Sequence, residues 1–334
     1  MGALSTRISP FGGMKICQRL FPGATSLLIV QGRREYFSFA HVGTAGLRLL
    51  LVLLLIYVLQ PLTVPAQDTE WPAVQDRLAR LLAGDSEQKR SALAEIRNLR
   101  SEQASRLALA ALSDKDEIVR ATAASSVVFL PEAEAVNALL PLLDDRRPFV
   151  RREAAYALGR VGHFNANARL IRSLTTDRDP EVRAASAVAL GNIGNNSSLE
   201  PLIAILRKRP KEEDEFLRRS AARAVGQIFE QIAKGITAVL TPQNFLPPEF
   251  KNGVAAGNLT PMSGSDHLDK IASTLVSVIR NPREADDTRR EAAFALGAMR
   301  RPESAGLLRS LLGSPDPYLA EISKEALLKI EPQK

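Results

Sequence analysis

The sequence is poor in the residues from which disulfides, metal clusters and aromatic cores are built. Its 334 residues include one cysteine, Cys17, and three histidines, and aromatic residues make up 5%. A single thiol cannot form a disulfide within the chain. Past residue 66 only His163 and His267 remain, so a His/Cys metal cluster is excluded from that part. Glycine-rich phosphate-binding motifs are also missing. The abundance of Ala, Leu and Arg instead favours closely packed helices over a β-sandwich.

An excess of positive charge is also missing outside the N-terminal segment. The whole chain carries a formal net charge of +7, but residues 1–66 hold six basic residues and one acidic residue. The rest therefore has 38 basic and 36 acidic residues, a net charge of +2. Nucleic-acid-binding domains concentrate positive charge, so this balance weakens the case for a DNA or RNA partner.

The N-terminal segment has the layout of a secretory signal peptide. Arg48 precedes the apolar run Leu49–Leu59, Pro61 follows it, and Val64 and Ala66 stand at the −3 and −1 positions of a predicted cleavage site. Eleven apolar residues in a helix span about 16 Å, whereas the hydrocarbon core of a bilayer is about 30 Å thick. We therefore predict cleavage after Ala66 and export to the periplasm or the medium. A permanent N-terminal membrane anchor is the alternative.

Residues 1–41 show no clear periodicity, and a signal peptide rarely carries so long a segment ahead of its apolar core. We expect translation to start downstream, at Met14 or, better, at Val42 read from a GUG codon. The predicted organisation is an N-terminal extension and signal peptide over 1–66, followed by one domain over 70–331.

One helical pattern recurs along this domain. It is clearest in DRDPEVRAASAVALGNIG, Asp177–Gly194, and the copies align on an anchor residue that usually precedes an arginine. Small or apolar residues follow the anchor at +4, +7, +8 and +11, which places them on one face of an α-helix. We expect the glycines at +9 to mark the last turn or the cap of that helix. Successive anchors lie 31, 31, 32, 35, 71 and 31 residues apart: Gln88, Val119, Val150, Val182, Leu217, Thr288 and Leu319.

A second amphipathic run precedes each anchor, so the repeating unit is a helix A, a short turn and a helix B. Neither helix can bury its apolar stripe alone, whereas stacked units share a continuous core. The sequence therefore predicts an all-α fold, an α-solenoid of about seven helix pairs.

Aspartates fill the turn between helix A and helix B, and an arginine directly follows most anchors. The aspartates suit helix N-caps, and their recurrence beside arginine predicts a ladder of charge-assisted hydrogen bonds from one repeat to the next. The alternative is a catalytic acid–base pair or a phosphate site, but a catalytic pair need not recur in every repeat. The predicted ladder residues are Asp116, Arg120, Arg151, Asp179, Arg183, Asp214, Arg218 and Arg289.

The pattern D-x-D-P-x-V-R-x-x-A-x-x-A-L-G-x-I-G resembles the HEAT repeat, in particular the short bacterial form found in phycobilisome lyase-type proteins. The resemblance covers Trp71–Ile330. It is weaker in the first unit, with Gln88 and Lys89, and in the last unit, where Ala320 replaces arginine. It implies an α-solenoid and leaves the function open, because such repeats occur in scaffolds, lyase chaperones and nucleic-acid enzymes.

The gap of 71 residues contains an insertion at about 237–266 that is rich in proline and glycine. Long loops inside a compact array are usually functional or disordered. The run Gly253–Ser265 favours disorder, whereas Phe245, Leu246 and Phe250, which are apolar residues among prolines, favour a partner-binding segment. Both interpretations stay open.

These observations predict an exported scaffold that binds a protein partner through its concave helix-B surface and the 237–266 loop. No catalytic, metal-binding or cofactor-binding residue is assigned, and no cofactor is expected. One alternative is an accessory or chaperone subunit similar to phycobilin lyase-type proteins. The other is a nucleic-acid-binding solenoid that uses Arg218, Arg219 and Arg223, whose affinity should fall steeply with salt.

Overall fold

The computed structural model of the chain describes residues 67–237 and 265–331. These parts contain 14 α-helices and no β-strand, and the helices form seven consecutive pairs in which the odd-numbered helix is helix A and the even-numbered one helix B. The predicted all-α solenoid is thus confirmed. The predicted signal segment and residues 238–264 of the predicted insertion lie outside the described residues. In chain order the helices are α1 (Gln67–Leu82), α2 (Ser86–Leu99), α3 (Glu102–Leu107), α4 (Glu117–Ser126), α5 (Glu132–Leu139), α6 (Pro148–Val161), α7 (Asn167–Thr176), α8 (Pro180–Ile193), α9 (Leu199–Arg207), α10 (Glu215–Thr237), α11 (Ser265–Arg280), α12 (Asp286–Ala298), α13 (Ala305–Ser310) and α14 (Pro317–Ile330).

The B helices begin where the aspartates and prolines of the turns predict. The side chain of Asp116 accepts hydrogen bonds from the backbone of Ile118 and Val119, and Asp179 caps α8 in the same way. Asp85 and Asp316 cap α2 and α14. Each cap satisfies a backbone N–H group that has no partner inside its helix, which is worth about 1 kcal/mol.

The core is aliphatic and rich in alanine, and consecutive B helices pack directly on one another. In α8 the residues at +4, +7, +8 and +11, which are Ser186, Ala189, Leu190 and Ile193, are all buried. Small side chains at these positions let neighbouring helices approach closely, so a run of short helices can share one core.

The glycines at +9 have a packing role beyond the predicted position in the last turn. Gly159 is buried, and a Cβ atom added to it would lie 2.6 Å from the Cα atom of Ala189 in the next helix B. The positive-φ caps of α6 and α8 are instead Gly162 and Gly194. Three of the four +9 glycines lie in the last turn of their helices as predicted and Gly226 does not, but none is the cap, and all four mark a close approach of two helices. They are Gly159, Gly191, Gly226 and Gly297.

The helix-B stack continues across the insertion. Helix α10 has 23 residues, against 14 in α6 and α8, as expected for an extended helix B. It packs on α12, where Gly226 faces Phe294 and Ala295. The fifth and sixth repeats are therefore neighbours in space, although their anchors are 71 residues apart. None of the helices in residues 67–237 and 265–331 meets the length and hydropathy needed to cross a membrane.

Candidate functional site

A ladder of ion pairs joins the turns of successive repeats. The guanidinium group of Arg120 donates to both carboxylate oxygens of Asp145 in the next repeat, at 2.8 and 3.0 Å. Its Nη1 atom donates to the backbone oxygen of Asp114 in its own repeat, at 2.8 Å. Arg151 binds Asp177 in the same bidentate way, with both distances 2.8 Å. One arginine thus fastens two consecutive turns.

Ion pairs also form at the four remaining junctions of the described repeats, from the +1 position in three of them and from the +2 position in the last. The pair Arg183–Asp214 is longer, at 3.8 Å, and Arg218 pairs with Glu284, with Nε and Oε1 2.8 Å apart. The first and last junctions are Lys89–Asp114 at 2.6 Å and Arg290–Asp316 at 2.9 and 3.0 Å.

Three predicted ladder residues have other roles. Asp116 and Asp179 act as helix caps, because their side chains turn back toward the backbone N–H groups of their own helices. Arg289 donates to the backbone oxygen of Ile279 and to Asp286. The ion pair to the next turn is made in this repeat by Arg290, at +2 from the anchor, although the buried anchor Thr288 and Gly297 at +9 keep the register of the other repeats.

Two of the ladder carboxylates, Asp145 and Asp177, have a lowered pKa and are held in the charged form. Burial alone would raise the pKa of Asp145, but hydrogen bonds from Arg120 and from the backbone of Arg147 hold it below its usual value. The pKa of Asp177 is likewise lowered against the effect of burial, by Arg151 and the backbone of Asp179. A carboxylate whose lone pairs are taken and whose pKa is depressed is a poor proton donor near neutral pH. The ladder therefore suits a structural role.

The aromatic residues lie mainly outside the core, on what we call the helix-B face: the residues of the B helices at −1, +2, +3, +6 and +10 from the anchors. Positions seven apart return to the same side of a helix after two turns. Of nine aromatic residues in the described parts, five lie on this face, and only Phe229 is buried. The five are Phe149, Tyr156, Phe216, Phe294 and Tyr318, of which the −1 residues Phe149, Phe216 and Tyr318 are 38%, 44% and 67% exposed.

Cationic side chains stack on these rings. The guanidinium of Arg152 lies 5.0 Å from the centre of the Phe149 ring, and that of Arg219 lies 5.2 Å from the centre of Phe216. Arg290 covers Tyr318 from the preceding repeat at 5.0 Å. Each contact stabilises by about 0.5–1 kcal/mol at an exposed site. Between these aromatic repeats the −1 position is acidic, so the −1 positions from the third to the seventh repeat alternate: Phe149, Glu181, Phe216, Asp287 and Tyr318.

The repeat family follows from the match between this array and known sequences. The family model for HEAT repeats matches residues 72–159 and 136–226, and the model for the PBS lyase HEAT-like repeat matches residues 288–314. The chain is a HEAT-repeat protein. The expected resemblance is confirmed on both sides of the insertion.

This HEAT-repeat protein is 28% identical to Deoxyhypusine hydroxylase-B of Oryza sativa subsp. japonica over an alignment of 266 positions, which covers 72% of this chain and 86% of the relative. It is similar to an engineered protein of known structure (TM-score 0.46, 21% identity, 77% of this chain and 68% of that one). It is also similar to human deoxyhypusine hydroxylase in complex with glycerol (0.34, 19%, 82% and 100%). A further similar structure is the phycocyanin lyase complex of Nostoc sp. PCC7120 (0.33, 22%, 68% and 94%).

The C-terminal part of the HEAT array carries a groove on the helix-B face. Its volume is about 190 Å³, and it lies between α10, α12 and α14. Phe294, Ile322 and Ala326 form its apolar floor, while the charged rim includes Arg223 and Lys329. An apolar centre with a charged rim is the usual anatomy of a protein–protein contact.

Sequence reasoning missed these aromatic positions. The signal was present, because an aromatic residue stands directly before the anchor in three of the seven HEAT repeats. It was overlooked because the alignment emphasised the residues that follow the anchor. The residues proposed instead, Phe245, Leu246 and Phe250, lie outside the described part of the chain.

No group of three or more His, Cys, Asp or Glu side chains in residues 67–237 and 265–331 is arranged to hold a metal ion. The turn aspartates of the HEAT repeats are each engaged by an arginine, a lysine or a helix end, as described above.

Proposed function

We propose that this HEAT-repeat protein is a scaffold that binds a protein partner through the helix-B face. The observation that carries the proposal is the location of the aromatic residues. Aromatic side chains usually dominate cores, and here the core is aliphatic while Phe149, Phe216 and Tyr318 are exposed. Trp, Tyr and Arg are the residues most enriched among interface hot spots, and arginines stack on all three rings.

The cation–π contacts also favour binding over simple exposure. Each arginine holds its ring in one orientation, which lowers the entropy that a partner would otherwise have to remove on association. The mixed charges around the rings, such as Arg152 with Glu181 and Arg219 with Asp287, would form the polar rim of the contact.

The test removes the rings and leaves the fold intact. In the triple variant Phe149→Ala, Phe216→Ala, Tyr318→Ala we expect an unchanged helical content and at least a tenfold loss in partner recovery. The assay is crosslinking capture from an envelope fraction, read by quantitative mass spectrometry. The matched control is Phe164→Ala, which removes a ring that is 41% exposed but lies in the turn before α7.

The proposal fails if the triple variant and the control recover the same proteins in the same amounts. A further arm, Phe245→Ala with Phe250→Ala, tests the loop contribution. We expect it to weaken capture with helicity unchanged, and unchanged capture would remove the loop from the binding surface.

The second candidate is an enzyme or an enzyme's accessory subunit, favoured by the similarity to Deoxyhypusine hydroxylase-B. Hydroxylation of a deoxyhypusine-containing substrate by the purified chain would overturn the scaffold proposal in favour of this one.

We also propose that the scaffold is exported. The support is the basic, apolar and small-residue order around Leu49–Leu59 and Ala66. N-terminal sequencing of the mature protein should begin at Gln67, and an uncleaved N-terminus would favour the anchored alternative.

A further inference from the structure

Three exposed arginines line one concavity at the C-terminal ends of the first and third B helices. Arg97 lies in the last turn of α2, Arg100 follows that helix, and Arg160 lies in the last turn of α6. With Asn98 and Phe129 they line one open concavity of about 540 Å³. We call this group the arginine patch.

The arginines of the patch have no acidic partner in the described chain, and all three are exposed. This differs from the ladder, where every cation binds a carboxylate, and from Arg152 and Arg219 on the helix-B face, which also do so. The guanidinium of Arg160 stacks on the ring of Phe129 at 5.8 Å from its centre. The patch therefore presents guanidinium groups free to bind an anion beside an apolar ring.

A helix-dipole role explains part of this arrangement, because cations near a helix C-terminus are stabilising. It does not explain Arg100. This residue has φ 49° and ψ 36°, the left-handed conformation, at the cap position that Gly162 and Gly194 occupy in α6 and α8. A side chain there costs free energy that glycine avoids. Arg300 has the same conformation, with φ 51°, at the corresponding position after α12, so an arginine holds this position in two repeats and only Arg100 belongs to the patch.

We propose that the arginine patch binds an acidic, carboxylate-bearing segment of the protein partner. This inference rests on the proposed scaffold function and adds the chemistry of one contact. The planar guanidinium group matches a carboxylate with two parallel hydrogen bonds, so three arginines can hold two or three Asp or Glu side chains. Phe129 adds a surface for an apolar residue between them.

The size of the patch favours a short acidic peptide over a nucleic acid. Proteins that bind duplex DNA commonly neutralise about 6–10 phosphates along an extended track. Here only three arginines line the concavity, and the chain beyond residue 66 has a net charge of only +2.

The test uses purified protein and defined probes, so it does not depend on finding the natural partner. The first probe is a fluorescently labelled ten-residue peptide that repeats the sequence Glu-Glu-Leu. The neutral control is the same peptide with every Glu replaced by Gln. A single-stranded 20-nucleotide DNA is the competing probe. Binding is measured by fluorescence anisotropy at low and at physiological salt.

The patch variant is Arg97→Gln, Arg100→Gly, Arg160→Gln. The matched control is Arg146→Gln, Arg172→Gln, Arg178→Gln, which removes the same charge from three other exposed arginines. We expect the acidic peptide to bind the patch variant at least tenfold more weakly and the control within about threefold of the parent. Because glycine suits the position of Arg100, the patch variant should keep its melting temperature.

Three outcomes would overturn the proposal: no binding of the acidic peptide by the parent protein, an equal loss in both variants, or tighter binding of the DNA than of the peptide. The aromatic triple variant should bind the peptide as the parent does. If the arginine patch proves not to bind the peptide while partner capture still depends on the aromatic rings, only this inference is refuted. If the patch binds the peptide but capture does not depend on the rings, the proposed scaffold surface is refuted.

Discussion

The ion pair between Arg218 and Glu284 gives the sharpest test of how the array is held together across its insertion. Their side chains are 2% and 1% exposed. All five N–H groups of Arg218 are used, two by Glu284 and three by backbone oxygens at the end of helix A and the turn of its own repeat. The pair joins residues 66 positions apart, so it ties the fifth repeat directly to the sixth.

The substitution Glu284→Gln keeps the shape of the side chain and removes its charge. Two charge-assisted hydrogen bonds are weakened, each worth about 1.5–3 kcal/mol, and a buried cation is left uncompensated. Breaking a buried pair in this way costs about 3–5 kcal/mol. We expect a loss of this size in the free energy of unfolding, measured by urea titration followed by circular dichroism.

The matched control is Glu291→Gln. Its partner Arg223 joins the same two repeats at 2.9 Å but is 60% exposed, so the loss should be only about 0.2–1 kcal/mol. Because repeat arrays can unfold in parts, hydrogen exchange should also rise in α11–α14 of the Glu284 variant before it rises in α2–α8. Equal losses in the two variants, or a loss below 1 kcal/mol for Glu284→Gln, would refute the idea that burial makes this pair essential.

Two further predictions follow from the packing and the charges. Gly159→Ala should destabilise the protein by about 1–3 kcal/mol, because the new Cβ would lie 2.6 Å from the backbone of Ala189. The control is Gly306→Ala, at a helix position where a Cβ meets open space, and this change should be neutral or stabilising. Both variants are compared by thermal melting. The ladder should make the free energy of unfolding depend on pH in the acidic range. Burial alone would raise the pKa of Asp177, but the hydrogen bonds from Arg151 outweigh burial and lower it. The ion pair therefore stabilises the fold above the unfolded-state pKa of about 3.9, and this stabilisation is lost as the pH falls through the lower folded-state pKa. Asp177→Asn should lose about 1.5–3 kcal/mol at pH 7 and show a flatter acid profile in urea titrations from pH 7 to 2; an unchanged profile would argue against this pair.

The fold could be predicted because the physical cause of a solenoid is local in the sequence. An anchor with apolar residues at +4, +7, +8 and +11 defines a helix and its buried face, and repetition at about 31 residues defines the stack. Even the interrupted gap of 71 residues was interpretable, because the pattern resumes after it. The turn aspartates and prolines located the helix starts for the same reason.

The partners of the side chains were harder to predict, because they depend on spacing between repeats. The ladder aspartates lie 25 to 31 residues after their arginines, in the next turn, and Asp116 and Asp179, which lie closer in sequence, face their own helices. At the insertion the partner is Glu284, in a turn without the usual aspartate. The role of the +9 glycines was missed for a similar reason, since only the neighbouring helix shows why a Cβ cannot fit.

The ladder and the helix-B face together constrain what the partner can be. Each junction is clamped by an ion pair, so the spacing of the exposed rings is set by the stack before any partner arrives, and such preorganisation lowers the entropic cost of binding. Phe149, Phe216 and Tyr318 stand two repeats apart. Packed helices lie about 8–10 Å apart, so the outer two rings are separated by roughly 32–40 Å. An extended partner would cover this distance in about 10–12 residues and a helical one in about 21–27. Photo-crosslinkers placed at residues 149 and 318 should therefore mark two sites in the partner that are separated by one of these intervals, and crosslinks to adjacent partner residues would mean that the face does not bind as one rigid surface.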